Sequence, residues 1–376
     1  MRDLDPQHVN SRPSRLDHAG NDQEKQRFSD DLETGSGQQD DEHLPEDKQG
    51  QPPAPRGSFI SGWIWMAINT LATIGIVFIN KALFSDPSLK LAQLTFATFH
   101  FLLTYLTLFL LSHPPFTFFT PRRLPLLDIL PLSLAMSLNV ILPNLSLAFS
   151  TVTFYQIARI LLTPTVALLN FLLYRATLPP LAILALIPAC VGVGTVSYYD
   201  SLPSATARQQ HVKTTTALGV AFALAGTAAS SLYTVIVAAW HRRWNGVSSM
   251  QLLLNQAPVS AFLLLYAIPF VDAFPSSWRA VPAGRWGMVL LSGAFAAVIN
   301  ISQFFIVAKT GAVSSTVVGH VKTVLIVALG WVTSGRGFAS DGRVLMGVVA
   351  AVGGIIAYSV VMLKEKEKQA ARRGGR

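Results

Sequence analysis

Long apolar stretches separated by short polar joints follow one another along this chain from about residue 59 to residue 363. A helix crossing a ~30 Å hydrocarbon core needs about 20 mostly apolar residues. Read with that window, the chain predicts ten spans: 59–84, 89–112, 127–148, 151–174, 179–199, 216–240, 248–271, 285–308, 312–334 and 341–363. Proline, glycine and charge clusters mark most joints, as in His113-Pro114-Pro115, Pro179-Pro180 and Ser334-Gly335-Arg336-Gly337. The joints near Ser150 and Gly311 are short. Pro131, Pro143, Pro164, Pro188 and Pro258 fall inside spans, which membrane helices tolerate. The expected fold class is an all-α membrane protein with ten transmembrane helices.

Composition agrees. Hydrophobic residues make up 51% of the chain and charged residues 13%, against about a quarter charged in soluble domains. Residues 1–57 are polar and are expected to form a disordered cytosolic tail, because they cannot bury enough surface to offset chain entropy. They lack the basic-then-apolar pattern of a signal peptide. Residues 364–376, beginning Lys364-Glu365-Lys366-Glu367-Lys368, are expected to form a basic cytosolic tail. The net charge of +9 draws on no continuous basic stripe, which excludes a nucleic-acid surface. Arg56, Arg122, Arg123, Arg175, Arg242, Arg243 and Lys309 fall on one side of the ten-span topology, which favours cytosolic termini. The single cysteine, Cys190, permits neither a disulfide frame nor a zinc cluster within one chain.

The two halves resemble each other. Arg159 follows Ser150-Thr151-Val152-Thr153 in the fourth span, and Lys322 follows Val313-Ser314-Ser315-Thr316 in the ninth. Five spans per half reverse the sense of the second copy, predicting two inverted repeats, 58–199 and 216–363, joined by a loop at 200–215. Arg159 is then about eight residues into its span and Lys322 about ten, or roughly 12–15 Å, near the middle of the membrane.

A cation at that depth costs roughly 2.5–3.5 kcal/mol on insertion scales and is by default a functional site. Between Lys48 and Lys364 there is no glutamate, and Asp86, Asp128, Asp200, Asp272 and Asp341 fall at segment edges or in loops. The natural counter-ion is therefore an anionic ligand, with Arg159 offering a planar fork and Lys322 a point charge. The structural alternative is an internal partner such as helix carbonyls. Lys81 lies near the end of its span, where snorkelling to the interface competes with a ligand contact. Neutral groups that suit a sugar or base include Tyr155, Gln156, Asn139, Asn300, His320 and Thr323, although Asn and Gln also stitch helices together. His320 and Thr323 flank Lys322. Gly226-x-x-x-Ser230 is a small-residue packing face, for a homodimer or for helices of one chain. No nucleotide-binding phosphate loop, nucleophile elbow or metal motif is present, so no cofactor, metal or enzymatic activity is expected. With no carboxylate foreseen inside the membrane, ion coupling is also disfavoured.

Ile76-Val77-Phe78-Ile79-Asn80-Lys81, Tyr155-Gln156-x-Ala158 followed by a cation, and Gly319-His320-x-Lys322-Thr323 together resemble the triose-phosphate/nucleotide-sugar translocator family of the drug/metabolite transporter superfamily. Within it they are similar to the Lys-Thr group of solute carrier family 35, subfamily E. The resemblance spans roughly residues 59–363. It implies the ten-helix drug/metabolite transporter fold and antiport of a nucleotide sugar for a nucleoside monophosphate in the Golgi or ER membrane. It also implies phosphate binding by Arg159 and Lys322, with Lys81 as a further contact and Thr323, His320, Tyr155, Asn300 and Asn139 as hydrogen-bonding groups. Two departures matter. Arginine replaces the usual lysine at 159, and Thr323 stands where plastid triose-phosphate carriers have a second cation, which favours a nucleotide sugar. Exchange of a sugar phosphate or phosphoenolpyruvate for phosphate stays open, as does a non-transporting receptor or scaffold.

Overall fold

The computed structural model describes residues 59–86, 89, 92–202, 215–244, 246–273, 281–333 and 342–374, without the side chains of 59–61, 241–242, 303–305, 307–318, 370 and 372–374. The expected 1–57 tail and most of the 200–215 loop lie outside these residues. The helices are α1 (Phe59–Phe84), α2 (Gln93–Ser112), α3 (Leu126–Phe149), α4 (Val152–Ala158), α5 (Leu162–Tyr174), α6 (Pro180–Ser201), α7 (Ala217–Arg243), α8 (Ser249–Val271), α9 (Ala283–Thr333) and α10 (Gly342–Gly374). A 3₁₀ turn, Arg159–Leu161, joins α4 to α5 within one span. The charged stretch from Lys364 continues α10 as helix to Gly374.

Among the described residues, nine helices are long and apolar enough to cross a membrane, and Gly319–Thr333 is a shorter apolar segment. Their outward faces carry Leu127, Phe262, Tyr266, Phe270 and Val332, all more than two-thirds exposed. So much apolar surface is unsuited to water and costs nothing in lipid. The chain is a multi-pass membrane protein, all-helical among the described residues.

The break expected at Gly311 is not seen: the helical backbone is assigned continuously through the 51 residues of α9. A straight helix of that length would measure about 76 Å. Its two arms nevertheless lie at one depth. Arg285 reaches the Ala82 carbonyl and pairs with Asp86 at the end of α1. Gly330 lies against Thr153, close to where Lys81 of α1 meets the end of α3. The arms therefore do not share one straight axis, and they pack as separate helices.

Close pairs are α1 with α9, α3 with α7, α2 with α8 and α6 with α10. Lipid tails give helices no hydrophobic reason to associate, so small residues that permit close approach carry the packing. A Cβ added at Gly75 would lie 2.5 Å from the Phe295 ring, and one at Gly226 would lie 3.0 Å from Pro143 N. Gly226 thus seats α7 on α3 within this chain.

All seven residues of α4 are buried. Phe154, Ile157 and Ala158 join the core formed with α6 and α10, while Val152 and Tyr155 join the core formed with α1 and α3. Wedged between two cores, α4 delivers Arg159 at its end. The 3₁₀ turn that follows has a covalent cause. Pro164 has no N–H for the Ile160 carbonyl four residues earlier and its ring crowds that carbonyl, so the backbone tightens before it.

Candidate functional site

Arg159 borders two neighbouring cavities. One, about 400 Å³ counting its open side, is lined by Gln156, Arg159 and Thr163 from the broken span and His320 and Thr323 from α9, with Val352 and Ile355 of α10 closing it. The other, about 320 Å³, lies against α3 and α7 and presents Ser146, Tyr155, Thr227 and Ser230 beside Arg159. Residues 156, 159 and 163 share the first cavity because they recur at three- and four-residue spacing, which puts them on one helix face.

The Arg159 guanidinium is anchored rather than free. Its Nη1 donates to Tyr155 Oη at 2.8 Å, and Cζ lies 5.6 Å from the centre of the same ring. Arg159 Nε is buried with no partner among the described residues. A guanidinium held at one edge with donors left over is ready for an anion arriving through the cavity.

Lys322 is 3% exposed, and no described carboxylate lies within ion-pair distance of it. It shares a helix face with buried Ile326 and Gly330, whereas Val321, Val324 and Leu325 face outward. Gly330 abuts Val152 and Thr153, so this buried face is turned toward α4. Thr323 and His320 line the cavity that Arg159 shares. Thr323 Oγ1 accepts from Gln156 Nε2 at 3.2 Å, which ties α9 to α4. His320 Nε2 lies 2.7 Å from Ser359 Oγ on α10.

Other predicted site residues lie elsewhere. Lys81 donates to the Leu147 carbonyl at 2.7 Å and to the Ser150 carbonyl. It closes the C-terminal end of α3, where free carbonyls and the helix dipole favour a cation. Its place is taken by backbone, a partner the snorkelling argument does not foresee. Asn300 donates to Thr104 Oγ1 at 3.3 Å and stitches α9 to α2. Asn139 is half-buried, one turn before Pro143 on the face that leads to Ser146 and the second cavity.

Asp200 corrects the expectation that no carboxylate is buried. It is 2% exposed and accepts from Thr151 Oγ1 at 3.0 Å and from Thr215 Oγ1. Thr151 Oγ1 also accepts from Phe154 N as the N-cap of α4. The carboxylate therefore sits at the positive end of that helix. The sequence reading missed it because Asp200 ends its span and its hydroxyl partners come from distant segments. Thr163 was legible four residues after Arg159; nothing in the sequence pointed to Ser359.

No model of a known protein family matches the chain. It is 28% identical over 319 residues to UDP-rhamnose/UDP-galactose transporter 2 of Arabidopsis thaliana, covering 83% of this chain and 85% of that protein. It is 28% identical over 309 residues to the same plant's UDP-xylose transporter 1, covering 81% and 85%. Against the plant's nucleotide-sugar uncharacterized transporter 1 the identity is 25% over 297 residues, covering 76% and 70%.

Proposed function

We propose that this protein is a nucleotide-sugar antiporter that exchanges its substrate for a nucleoside monophosphate by alternating access. The observation that carries this reading is Lys322, a cation buried to 3% exposure, with no described carboxylate to pair with, next to residues that share a cavity with Arg159. Removing a lysine from water without a counter-charge is costly unless something anionic arrives. A pyrophosphate supplies that charge, and the relatives are carriers named for UDP-sugars. Thr323 in place of a second cation supports a nucleotide sugar over a small sugar phosphate. The Lys322-Thr323 pair is the ground for placing the chain with the Lys-Thr group of solute carrier family 35, subfamily E.

Two inverted five-helix repeats are part of the proposal. Moving each span five places along the order exchanges the α1–α9 pair with the α7–α3 pair and returns α2–α8 and α6–α10 onto themselves. The seats agree in register: Gly75 on Phe295 corresponds to Gly226 on Pro143. Rocking of one repeat against the other about Arg159 and Lys322 provides alternating access. A Golgi or ER membrane location with cytosolic termini follows from the same reading.

The test is uptake of labelled UDP-galactose or UDP-xylose by proteoliposomes preloaded with UMP. Wild-type protein is expected to show uptake that depends on the preloaded nucleotide, and Lys322→Ala to lose it while still folding. Binding without exchange would point to a receptor, and uptake unaffected by Lys322→Ala would remove the assigned role.

A further inference from the structure

One hydroxyl in the lining of the first cavity, Thr323, and one bonded to its His320, Ser359, give their protons to their own helices. Thr323 Oγ1 donates to the Gly319 carbonyl at 3.1 Å, and Ser359 Oγ donates to the Ile355 carbonyl at 3.0 Å. A hydroxyl has one proton and two lone pairs. Each can therefore only accept from its other neighbour. Thr323 accepts from Gln156 Nε2, which fixes the amide orientation and leaves Gln156 Oε1 as the unused end. With the Ser359 proton on the Ile355 carbonyl, His320 Nε2 is the donor to Ser359 Oγ, and in the neutral ring that tautomer leaves Nδ1 as the lone pair.

Gln156 is 3% exposed, and its Oε1 is buried with no partner among the described residues. An unpaired acceptor in such a place is unfavourable until a donor reaches it. Gln156 and His320 both line the cavity that Arg159 borders. That wall therefore holds two acceptors beside a cation. Acceptors repel phosphate oxygens and attract O–H or N–H groups.

We infer that Gln156 and His320 form a specificity wall for the hydrogen-bond-donating, uncharged end of the carried molecule, either the hydroxyls of its sugar or the N–H of its base. His320 thus serves discrimination and leaves the phosphate charge to Arg159 and Lys322. This rests on the proposed nucleotide-sugar reading and adds to it which groups separate charge from identity. Both hydroxyl proton assignments follow ordinary i−4 bonding of Ser and Thr in helices.

The test is ligand binding to the purified full chain in detergent, read as thermal stabilisation across concentrations of inorganic pyrophosphate, UDP-galactose, UMP and galactose 1-phosphate. Gln156→Leu and His320→Phe are each expected to weaken UDP-galactose roughly tenfold, the scale of one lost hydrogen bond to a buried group, with pyrophosphate unchanged. A matching loss with galactose 1-phosphate assigns the wall to the sugar, and one with UMP assigns it to the nucleoside. Equal weakening of pyrophosphate, or no weakening of any organic ligand, overturns the inference. The substitutions lie on different helices, so either carries the comparison if the other fails to fold. Failure of wild-type protein to bind any of the four would instead overturn the proposed function.

Discussion

The guanidinium of Arg159 rests on Tyr155 one helical turn earlier, with Nη1 2.8 Å from the phenol oxygen and Cζ 5.6 Å from the ring centre. The phenol holds the cation at the boundary of two cavities. Tyr155→Phe keeps the ring and removes the hydrogen bond. We expect UDP-sugar affinity to fall about three- to tenfold, with stability lowered by no more than about 1 kcal/mol. A double-mutant cycle with Arg159→Ala checks this. If the two losses simply add, Tyr155 does not act through Arg159.

Lys322→Met separates function from structure. The substitution keeps much of the volume and deletes a charge that is expensive to bury, so the thermal midpoint is expected to hold or rise. Exchange is expected to fall by about a hundredfold or more, in line with losing a charge-assisted contact of about 3 kcal/mol. A clear drop in the midpoint would assign Lys322 a structural partner instead.

Lys81→Met is expected to behave in the opposite way. Losing its bonds to the Leu147 and Ser150 carbonyls should cost about 1.5–3 kcal/mol, the range for hydrogen bonds made by a charged group. The KM of the protein that remains folded should not change. A raised KM at unaltered stability would return Lys81 to the ligand site.

Asp200→Ala removes the acceptor for Thr151 and Thr215 at the head of α4. A destabilisation of about 3 kcal/mol is expected, with Asp200→Asn milder because one oxygen remains. Thermal unfolding of the two variants side by side checks the order. Asp200→Asn as damaging as Asp200→Ala would show that the charge, rather than the hydrogen bonds, holds the helix start.

At the α6–α10 seam a Cβ on Gly354 would lie 2.5 Å from Ala189 N, which is backbone and cannot swing aside. Gly354→Ala is expected to destabilise by about 1–3 kcal/mol through overpacking. An unchanged unfolding midpoint would show that the helices separate there without cost.

Membrane crossing and most of the apolar segments are legible in the sequence, as are Arg159 and Lys322, because each depends on local composition and on the cost of charge in hydrocarbon. Arg159 and Lys322 stand out simply because no glutamate or mid-span aspartate accompanies them. The short joint at Gly311 misled for the same reason: composition there does not say whether helical backbone continues across it. Gln156 and Thr163 were readable once Arg159 was chosen, since helical periodicity places them on its face. Asn300 and Lys81 were not, because whether a polar group faces a ligand or a neighbouring carbonyl depends on which helix lies beside it.

The chain alone therefore determined that this is a membrane protein with cations placed well inside its apolar spans, a consequence of hydropathy and of transfer free energies that act residue by residue. Only the tertiary structure decided that Lys81 caps a helix, that Asp200 is buried among hydroxyls, and that Gln156 and His320 face one cavity with Arg159. Those outcomes join residues far apart in the sequence. They are set by which helices glycine lets approach and by where each hydroxyl directs its single proton.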